Sequence, residues 1–137
     1  MKEARSNAAP APVGPYSQAV EHDGWIFVSG QIPLDPASGE LVGGEIEDQT
    51  RQVLANLRAV LEAAGAELRD VVRTTIYLID LSDFPRVNAV YAEHFTGEPR
   101  PARATVQVAA LPLGAAVEID AIAVRQWARS TARESAD

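Results

Sequence analysis

The sequence predicts one α+β domain in which two helices cover one face of a mixed β-sheet. Residues 45–64 repeat apolar side chains at helical spacing, whereas residues 71–79 (VVRTTIYLI) are rich in β-branched and aromatic residues. Roughly six strand-like runs accompany only two helix-like runs, so both helices are free to cover the same face of a sheet. The chain has 137 residues and is 47% hydrophobic, which fits a single domain with a packed core.

The N-terminal part predicts an arm followed by a hairpin. Residues 1–14 are rich in alanine, proline and small polar residues, and we expect a loose arm. Residues 17–21 and 25–29 are strand candidates on either side of Asp23-Gly24, a pair typical of hairpin turns. Residues 30–34 extend the second strand in this prediction, and the DPASG that follows is typical of a turn.

The middle of the chain predicts two helices on either side of a central strand. Apolar residues of the segment 45–64 fall on one helical face, and Gly65 can end the helix. The strand at 71–79 follows. Ser82 then suits the N-cap of a second helix at 83–95.

The last two predicted strands, 102–108 and 117–124, are joined by a turn at 111–114. The arm, one domain at residues 15–125 and a C-terminal tail at 126–137 complete the predicted organisation.

Several predicted strands carry apolar residues on both faces. Two helices cover one face only, so the second face would expose apolar side chains to water. We therefore expect a homo-oligomer, because self-association in a closed cyclic assembly would bury them.

Composition excludes several classes of chemistry. The net charge of −7 opposes binding to nucleic acid, and neither a signal peptide nor a membrane span is evident, so we expect a cytoplasmic protein. The chain has no cysteine, and its only lysine is Lys2 in the predicted arm, which excludes thiolate and buried Schiff-base catalysis. His22 and His94 lack metal-ligand spacing, and we expect neither a metal nor a cofactor.

Arg103 and Glu118 are charged residues in otherwise apolar strands. Alternation places Arg103 with Thr105 on one strand face, and Glu118 with Asp120 on a face of the next strand. If the turn pairs these strands, Arg103 and Glu118 can form a structural ion pair or line a common pocket. In a pocket, the arginine would hold a substrate carboxylate by two parallel hydrogen bonds, and the glutamate would orient or deprotonate water.

Further motifs occur along most of the chain. They are VGPYSQAV at 13–20, VSGQIP at 28–33, QTRQ at 49–52 with NL at 56–57, AAG at 63–65, DLSDF at 80–84 with VN at 87–88, and RPAR at 100–103 followed by VEI at 117–119. In this order and spacing, from about residue 8 to residue 125, they resemble the RidA/YjgF family of enamine/imine deaminases.

The resemblance implies a chorismate-mutase-like fold that assembles as a homotrimer with active sites in clefts between subunits. It also implies hydrolysis of reactive 2-enamine or 2-imine acids, such as 2-aminoacrylate, to 2-keto acids and ammonia. By position, Arg103 matches the arginine that binds the substrate carboxylate, and Glu118 matches the glutamate that positions the attacking water. The residues that match the lining of the same cleft are Tyr16, Ser29, Gly30 and Asn88. Thr105 stands where many relatives have cysteine, so thiol chemistry does not transfer to this chain.

Three other functions stay open at this stage. The first is a non-catalytic regulatory protein that binds a small carboxylate in the same cleft. The second is RNA cleavage or translation inhibition, which the acidic composition disfavours. The third is a deaminase for an enamine derived from a ring.

Overall fold

The computed structural model describes residues 1–126, which form six strands and two α-helices. The strands are β1 (Lys2–Ala4), β2 (Ala19–His22), β3 (Trp25–Gln31), β4 (Val71–Leu78), β5 (Ala102–Gln107) and β6 (Val117–Val124). The helices are α1 (Ile46–Ala63) and α2 (Phe84–His94). Apart from Gln126, the predicted tail at 126–137 lies outside the described residues.

The six strands form one mixed sheet in the order β1-β2-β3-β6-β4-β5. All neighbours pair antiparallel except β4 and β5, which run parallel and leave β5 at one edge. This is the α+β arrangement that the sequence predicts. Within the described residues, no helix combines the length and the apolar character needed to cross a bilayer.

Both helices pack on the same face of the sheet, and the hydrophobic core lies between the helices and that face. The buried stripe of α1, which includes Leu54, Leu57 and Leu61, is 0% exposed. It meets alternate residues of the central strands, such as Ile76 and Ile119. The prediction of an amphipathic helix is confirmed, and burial of this apolar stripe is its main source of stability.

The opposite side of the sheet carries no helix, and we call it the open face. Its members include Trp25, Phe27, Thr75, Tyr77, Val106, Glu118, Asp120 and Ile122. Trp25 is 46% exposed, Phe27 44% and Val106 39%. The prediction of apolar residues on both sides of the sheet is therefore confirmed.

The N-terminal segment is not a loose arm, because Lys2–Ala4 pairs with β2 as an edge strand. The buried Gln18 amide holds the segment that follows. It accepts a hydrogen bond from the Ser6 backbone N–H and donates to the carbonyls of Ser6, Ala9 and Pro10. The composition of residues 1–14 could not reveal a partner supplied by β2.

Ser82 does not cap α2, contrary to the prediction. The Asp80 carboxylate accepts hydrogen bonds from both the backbone N–H and the hydroxyl of Ser82, at 2.9 and 2.7 Å. These bonds form a short 3₁₀ turn over Leu81–Asp83, and α2 begins only at Phe84. The Ser82 hydroxyl thus donates back to Asp80, and the residue that precedes α2 is Asp83, whose side chain makes no capping hydrogen bond.

Strands β5 and β6 do not pair with each other, although a turn at Pro112–Gly114 lies between them. Strand β4 lies between β5 and β6 and pairs with both. The connection therefore spans two strand spacings, about 10 Å, which its nine residues reach easily. The condition of paired strands, under which Arg103 and Glu118 could meet within one chain, is therefore not met.

Candidate active site

Arg103 lies on the edge strand β5, on the side of the sheet that faces α2. Its partner on β4 is Thr74, whose side chain is buried under that helix. The Arg103 Nη1 donates a hydrogen bond to the Asn88 Oδ1 at 2.7 Å. The guanidinium carbon lies 4.8 Å from the ring centre of Tyr91 and 5.2 Å from that of Phe84, within cation–π range.

Tyr91, one of the two aromatic residues beside Arg103, is held by contacts at both ends of its side chain. The Tyr91 hydroxyl shares a buried hydrogen bond of 2.7 Å with the Thr74 hydroxyl, and its ring stacks on Phe95. Burial raises the pKa of Tyr91, so its hydroxyl stays protonated at neutral pH. A ring fixed at both ends orients the plane of the Arg103 guanidinium above it.

This arrangement leaves part of the Arg103 fork available. Asn88 uses only Nη1, and the guanidinium is solvent-exposed. The remaining N–H groups suit a planar carboxylate, which arginine binds through two parallel hydrogen bonds. Thr105 follows two residues later on the same face of β5 and is half-buried.

Glu118 lies on the opposite, open face of the sheet. It is the antiparallel partner of Tyr77 on β4 and is half-buried. Burial raises the pKa of Glu118 above its ordinary value, and the nearby negative charge of Asp120 raises it further. A carboxyl group of this kind can exchange a proton closer to neutral pH than a hydrated glutamate can.

Gly30 provides the space for Glu118. A Cβ atom added at Gly30 would lie 2.8 Å from both the Cδ and the Oε2 of Glu118. Any other residue at position 30 would therefore displace that carboxyl group. The register between β3 and β6 also shifts here, between Val28 and Gln31, which is typical of a bulge beside a functional site.

Ser29 and Tyr16 hold the chain that approaches this glycine. The Ser29 hydroxyl donates to the Ser17 carbonyl at 2.6 Å. Tyr16 is 50% exposed, and its backbone N–H donates to the Gly14 carbonyl at 2.9 Å in a tight turn centred on Pro15. The Tyr16 hydroxyl accepts a hydrogen bond from the Val13 N–H at 3.3 Å.

The candidate residues thus form two separate groups in one chain. Arg103, Asn88 and Thr105 lie on the helix side, and Glu118 with Gly30 lies on the open face. Within one chain, Arg103 and Glu118 neither pair nor share a pocket, because β4 separates their strands and their side chains point to opposite faces.

Four residues that lie against Arg103 or Glu118 received no role in the site from the sequence: Phe84, Tyr91, Tyr77 and Asp120. The first two are spaced i and i+7 with Asn88 at i+4, which places all three on one helical face. That spacing could have indicated that the three side chains lie together and form one binding surface. Tyr77 was hidden because nothing in a single sequence gives the register between β4 and β6.

A cavity of about 430 Å³ lies elsewhere, at the end of α2. It is lined by residues 94–101 together with Arg69 and neighbouring residues, and it contains none of the candidate site residues. Two of its arginines already pair with glutamates, Arg69 with Glu67 and Arg100 with Glu98. The described residues contain no group of three or more His, Asp or Glu side chains placed to hold a metal ion.

A family model described as Endoribonuclease L-PSP matches residues 6–125 of the chain. The chain belongs to this family, the RidA/YjgF family. The match covers both halves of the candidate site, from Tyr16 to Glu118.

Individual members of the RidA/YjgF family are similar over most of their length. A RutC family protein of Pyrococcus horikoshii is 54% identical over 118 residues, which cover 86% of this chain and 93% of the relative. The 2-iminobutanoate/2-iminopropanoate deaminase of Mus musculus is 53% identical over 117 residues, which cover 85% and 86%. The crystal structure of E. coli TdcF with bound serine superposes with a TM-score of 0.85 at 40% identity, covering 92% of this chain and all of that one.

Proposed function

We propose that this protein hydrolyses 2-imino acids, and the 2-enamino acids in equilibrium with them, to 2-keto acids and ammonia. A relative of 53% identity bears the name of such a deaminase, which supports the class of reaction. The observation that carries the proposal is the partly free guanidinium of Arg103, fixed by Asn88 and by two aromatic rings.

Arg103 binds the substrate carboxylate. Asn88 holds Nη1, so the remaining guanidinium N–H groups can donate hydrogen bonds to the two carboxylate oxygens with little further loss of side-chain entropy. The TdcF crystal structure contains bound serine, which like the proposed substrate carries a carboxylate on its α-carbon, and a cationic anchor of this kind suits such a group.

Glu118 acts as the general base and general acid of the reaction. The enamine first tautomerises to the imine, whose carbon is electrophilic. Glu118 takes a proton from water as the oxygen bonds to that carbon and passes it to the imine nitrogen, which gives a carbinolamine. It then takes the proton of the new hydroxyl group and passes it to the amine nitrogen as the C=O bond forms, the C–N bond breaks and ammonia leaves. A carboxyl group whose pKa is raised suits these transfers, which together contribute about 10²- to 10⁴-fold.

The complete site requires two copies of the chain. Within one chain, Arg103 and Glu118 lie on opposite faces of the sheet, so one substrate contacts both only when a neighbouring subunit supplies one of them. The exposed apolar side chains of the open face support this assembly. We propose a closed homotrimer of the chorismate-mutase-like kind with one site at each subunit boundary.

A coupled assay tests the activity. A pyridoxal-phosphate-dependent amino-acid dehydratase releases 2-aminoacrylate from serine, and the protein should accelerate the appearance of pyruvate. The Arg103→Ala variant should lose this acceleration, whereas Arg69→Ala, which alters an exposed arginine paired with Glu67, should keep it. Undiminished turnover by Arg103→Ala would contradict the assignment. Pyruvate binding without any acceleration by the wild type would favour a non-catalytic carboxylate receptor.

Subunit mixing tests the shared site. Arg103→Ala and Glu118→Gln chains are each expected to be inactive alone. When they are co-expressed in equal amounts, about one boundary in four combines an intact arginine with an intact glutamate from the neighbour, so roughly a quarter of the activity should return. No recovery in mixed oligomers would show that the two residues do not act across a boundary.

A further inference from the structure

Tyr77 and Asp120 form a polar pair on the open face, directly beside Glu118. The Tyr77 hydroxyl donates a hydrogen bond to the Asp120 Oδ2 at 2.9 Å. Tyr77 is also the registered partner of Glu118, and Asp120 follows Glu118 on the same face of β6. The three side chains therefore form a compact group, although the role proposed for Glu118 does not by itself require the other two.

We propose that Tyr77 and Asp120 are positioning residues for Glu118, with the Tyr77 hydroxyl holding the Asp120 carboxylate as a second negative charge beside the Glu118 carboxyl group. This inference rests on the proposed function, because it assigns a purpose to the proton exchange of Glu118. Neither side chain needs to contact the substrate.

The hydrogen bond fixes where the negative charge lies. Asp120 is only half-buried, and a carboxylate at the surface of a sheet would otherwise rotate toward water. Burial raises the pKa of Tyr77, and its hydrogen bond to Asp120 raises it further, so the phenol remains a donor at neutral pH. Strands β4 and β6 form a rigid frame that sets the distance between the two groups.

Among residues 1–126, few charged groups other than Asp120 face Glu118. On its own strand the group is Asp120, and on β4 it is Tyr77, with Arg73 further along the same face opposite Ile122. On β3 the neighbour is Gly30, which has no side chain, and both helices lie on the other side of the sheet. Asp120 is therefore the acidic group placed to oppose ionisation of Glu118.

A fixed negative neighbour helps a residue that must both take and return a proton. An isolated glutamate is too weak a base to remove a proton from water effectively near neutral pH. Burial and the Asp120 charge both favour the protonated form of Glu118. They bring its proton affinity closer to that of water and of the substrate nitrogen, with which it exchanges protons in the proposed reaction. The pair thus adjusts the pH range of the reaction without adding a reacting group.

The test measures proton uptake by Glu118 in the assembled protein. Glutamate labelled with ¹³C at the side-chain carboxyl is titrated by NMR in wild type, Asp120→Asn, Asp120→Glu and Tyr77→Phe, and the Glu118 signal is assigned by its absence in Glu118→Gln. The midpoint should move to lower pH in Asp120→Asn, move less in Tyr77→Phe, and stay near the wild-type value in Asp120→Glu. Glu62→Gln, which removes an exposed carboxylate on α1, is the matched control and should change nothing.

The pH dependence of turnover gives a second readout. Two residues along a strand span about 7 Å, and loss of one charge at that distance should raise the relative rate on the acid limb by about 2- to 10-fold in Asp120→Asn. A structural role alone would lower the rate equally at every pH. An unchanged Glu118 midpoint in Asp120→Asn, together with an inactive Glu118→Gln, would overturn this inference alone. Full turnover by Glu118→Gln would overturn the proposed role of Glu118 and this inference with it.

Discussion

Replacing Gly30 with alanine should remove most of the deaminase activity while the fold stays intact. The new methyl group would lie 2.8 Å from the Cδ and the Oε2 of Glu118 and 3.1 Å from its Cγ. Ordinary carbon contacts begin near 3.4 to 4 Å, so the carboxyl group has to move by about 0.6 to 1.2 Å. Misplacement of a reacting group by about 1 Å can slow a reaction roughly 10²-fold.

The stability of the Gly30→Ala protein should change little. The backbone φ at Gly30 lies outside the left-handed region, so alanine introduces no strain there. The atoms it meets belong to the far end of a flexible side chain, which can move aside. Alanine also restricts the unfolded chain, which offsets part of any loss by about 0.4 to 1 kcal/mol.

The experiment compares Gly30→Ala with Gly43→Ala in the coupled dehydratase assay and by thermal unfolding. A Cβ at Gly43 would meet nothing within 4 Å, and φ at Gly43 also lies outside the left-handed region, so this variant is a matched control. We expect a 10- to 100-fold loss of kcat in Gly30→Ala, a Tm within a few degrees of wild type, and unchanged pyruvate binding. Wild-type turnover by Gly30→Ala would refute the placement of Glu118 against this glycine.

Three further predictions concern the anchor, the acid and the assembly. Arg103→Lys should raise KM by roughly 10- to 100-fold with a smaller effect on kcat, because an ammonium group cannot hold Asn88 and a carboxylate in one plane; an unchanged KM in steady-state kinetics would count against the fork. Glu118→Gln should raise Tm by a few degrees at pH 8 and by less at pH 4. The pKa of Glu118 is raised in the folded protein, so the wild-type carboxyl group contributes stability at low pH that is lost as pH rises through that pKa. Equal gains in Tm at both pH values would contradict this sign. Phe27→Arg should yield a folded monomer by size-exclusion chromatography with light scattering, because Phe27 is 44% exposed on the open face, and an intact oligomer would exclude this face as the interface.

Local pattern predicted the elements of this fold well. Helix α1 is defined by a long stripe of apolar residues at helical spacing, and it appears at Ile46–Ala63 within the predicted segment 45–64. Strands β4, β5 and β6 follow the expected alternation, which also places Glu118 and Asp120 on one face. Short-range periodicity determines such features, so one sequence is enough to reveal them.

The order and pairing of the strands could not be predicted from periodicity. The insertion of β4 between β5 and β6 depends on pairing between residues far apart in sequence, which periodicity does not report. The predicted site residues lie on two faces of the sheet, and this distribution follows from the strand order. Ser82 shows the same limit on a smaller scale. Its hydroxyl bonds to Asp80 instead of capping α2, and the sequence alone did not indicate which of these two roles it takes.

The strand order also explains why the proposed reaction needs more than one chain. Arg103 must stay exposed at an edge strand to receive a carboxylate, whereas Glu118 must be partly dehydrated for its pKa to rise, and the central strand β6 supplies that burial. One chain meets these opposite requirements by placing the two groups on different faces. Joining them then requires the edge of one subunit to meet the open face of another, and that contact would also bury Trp25 and Phe27. In the proposed homotrimer, assembly and chemistry therefore depend on the same surface, so substitutions that weaken the interface should reduce activity even when every reacting group is intact.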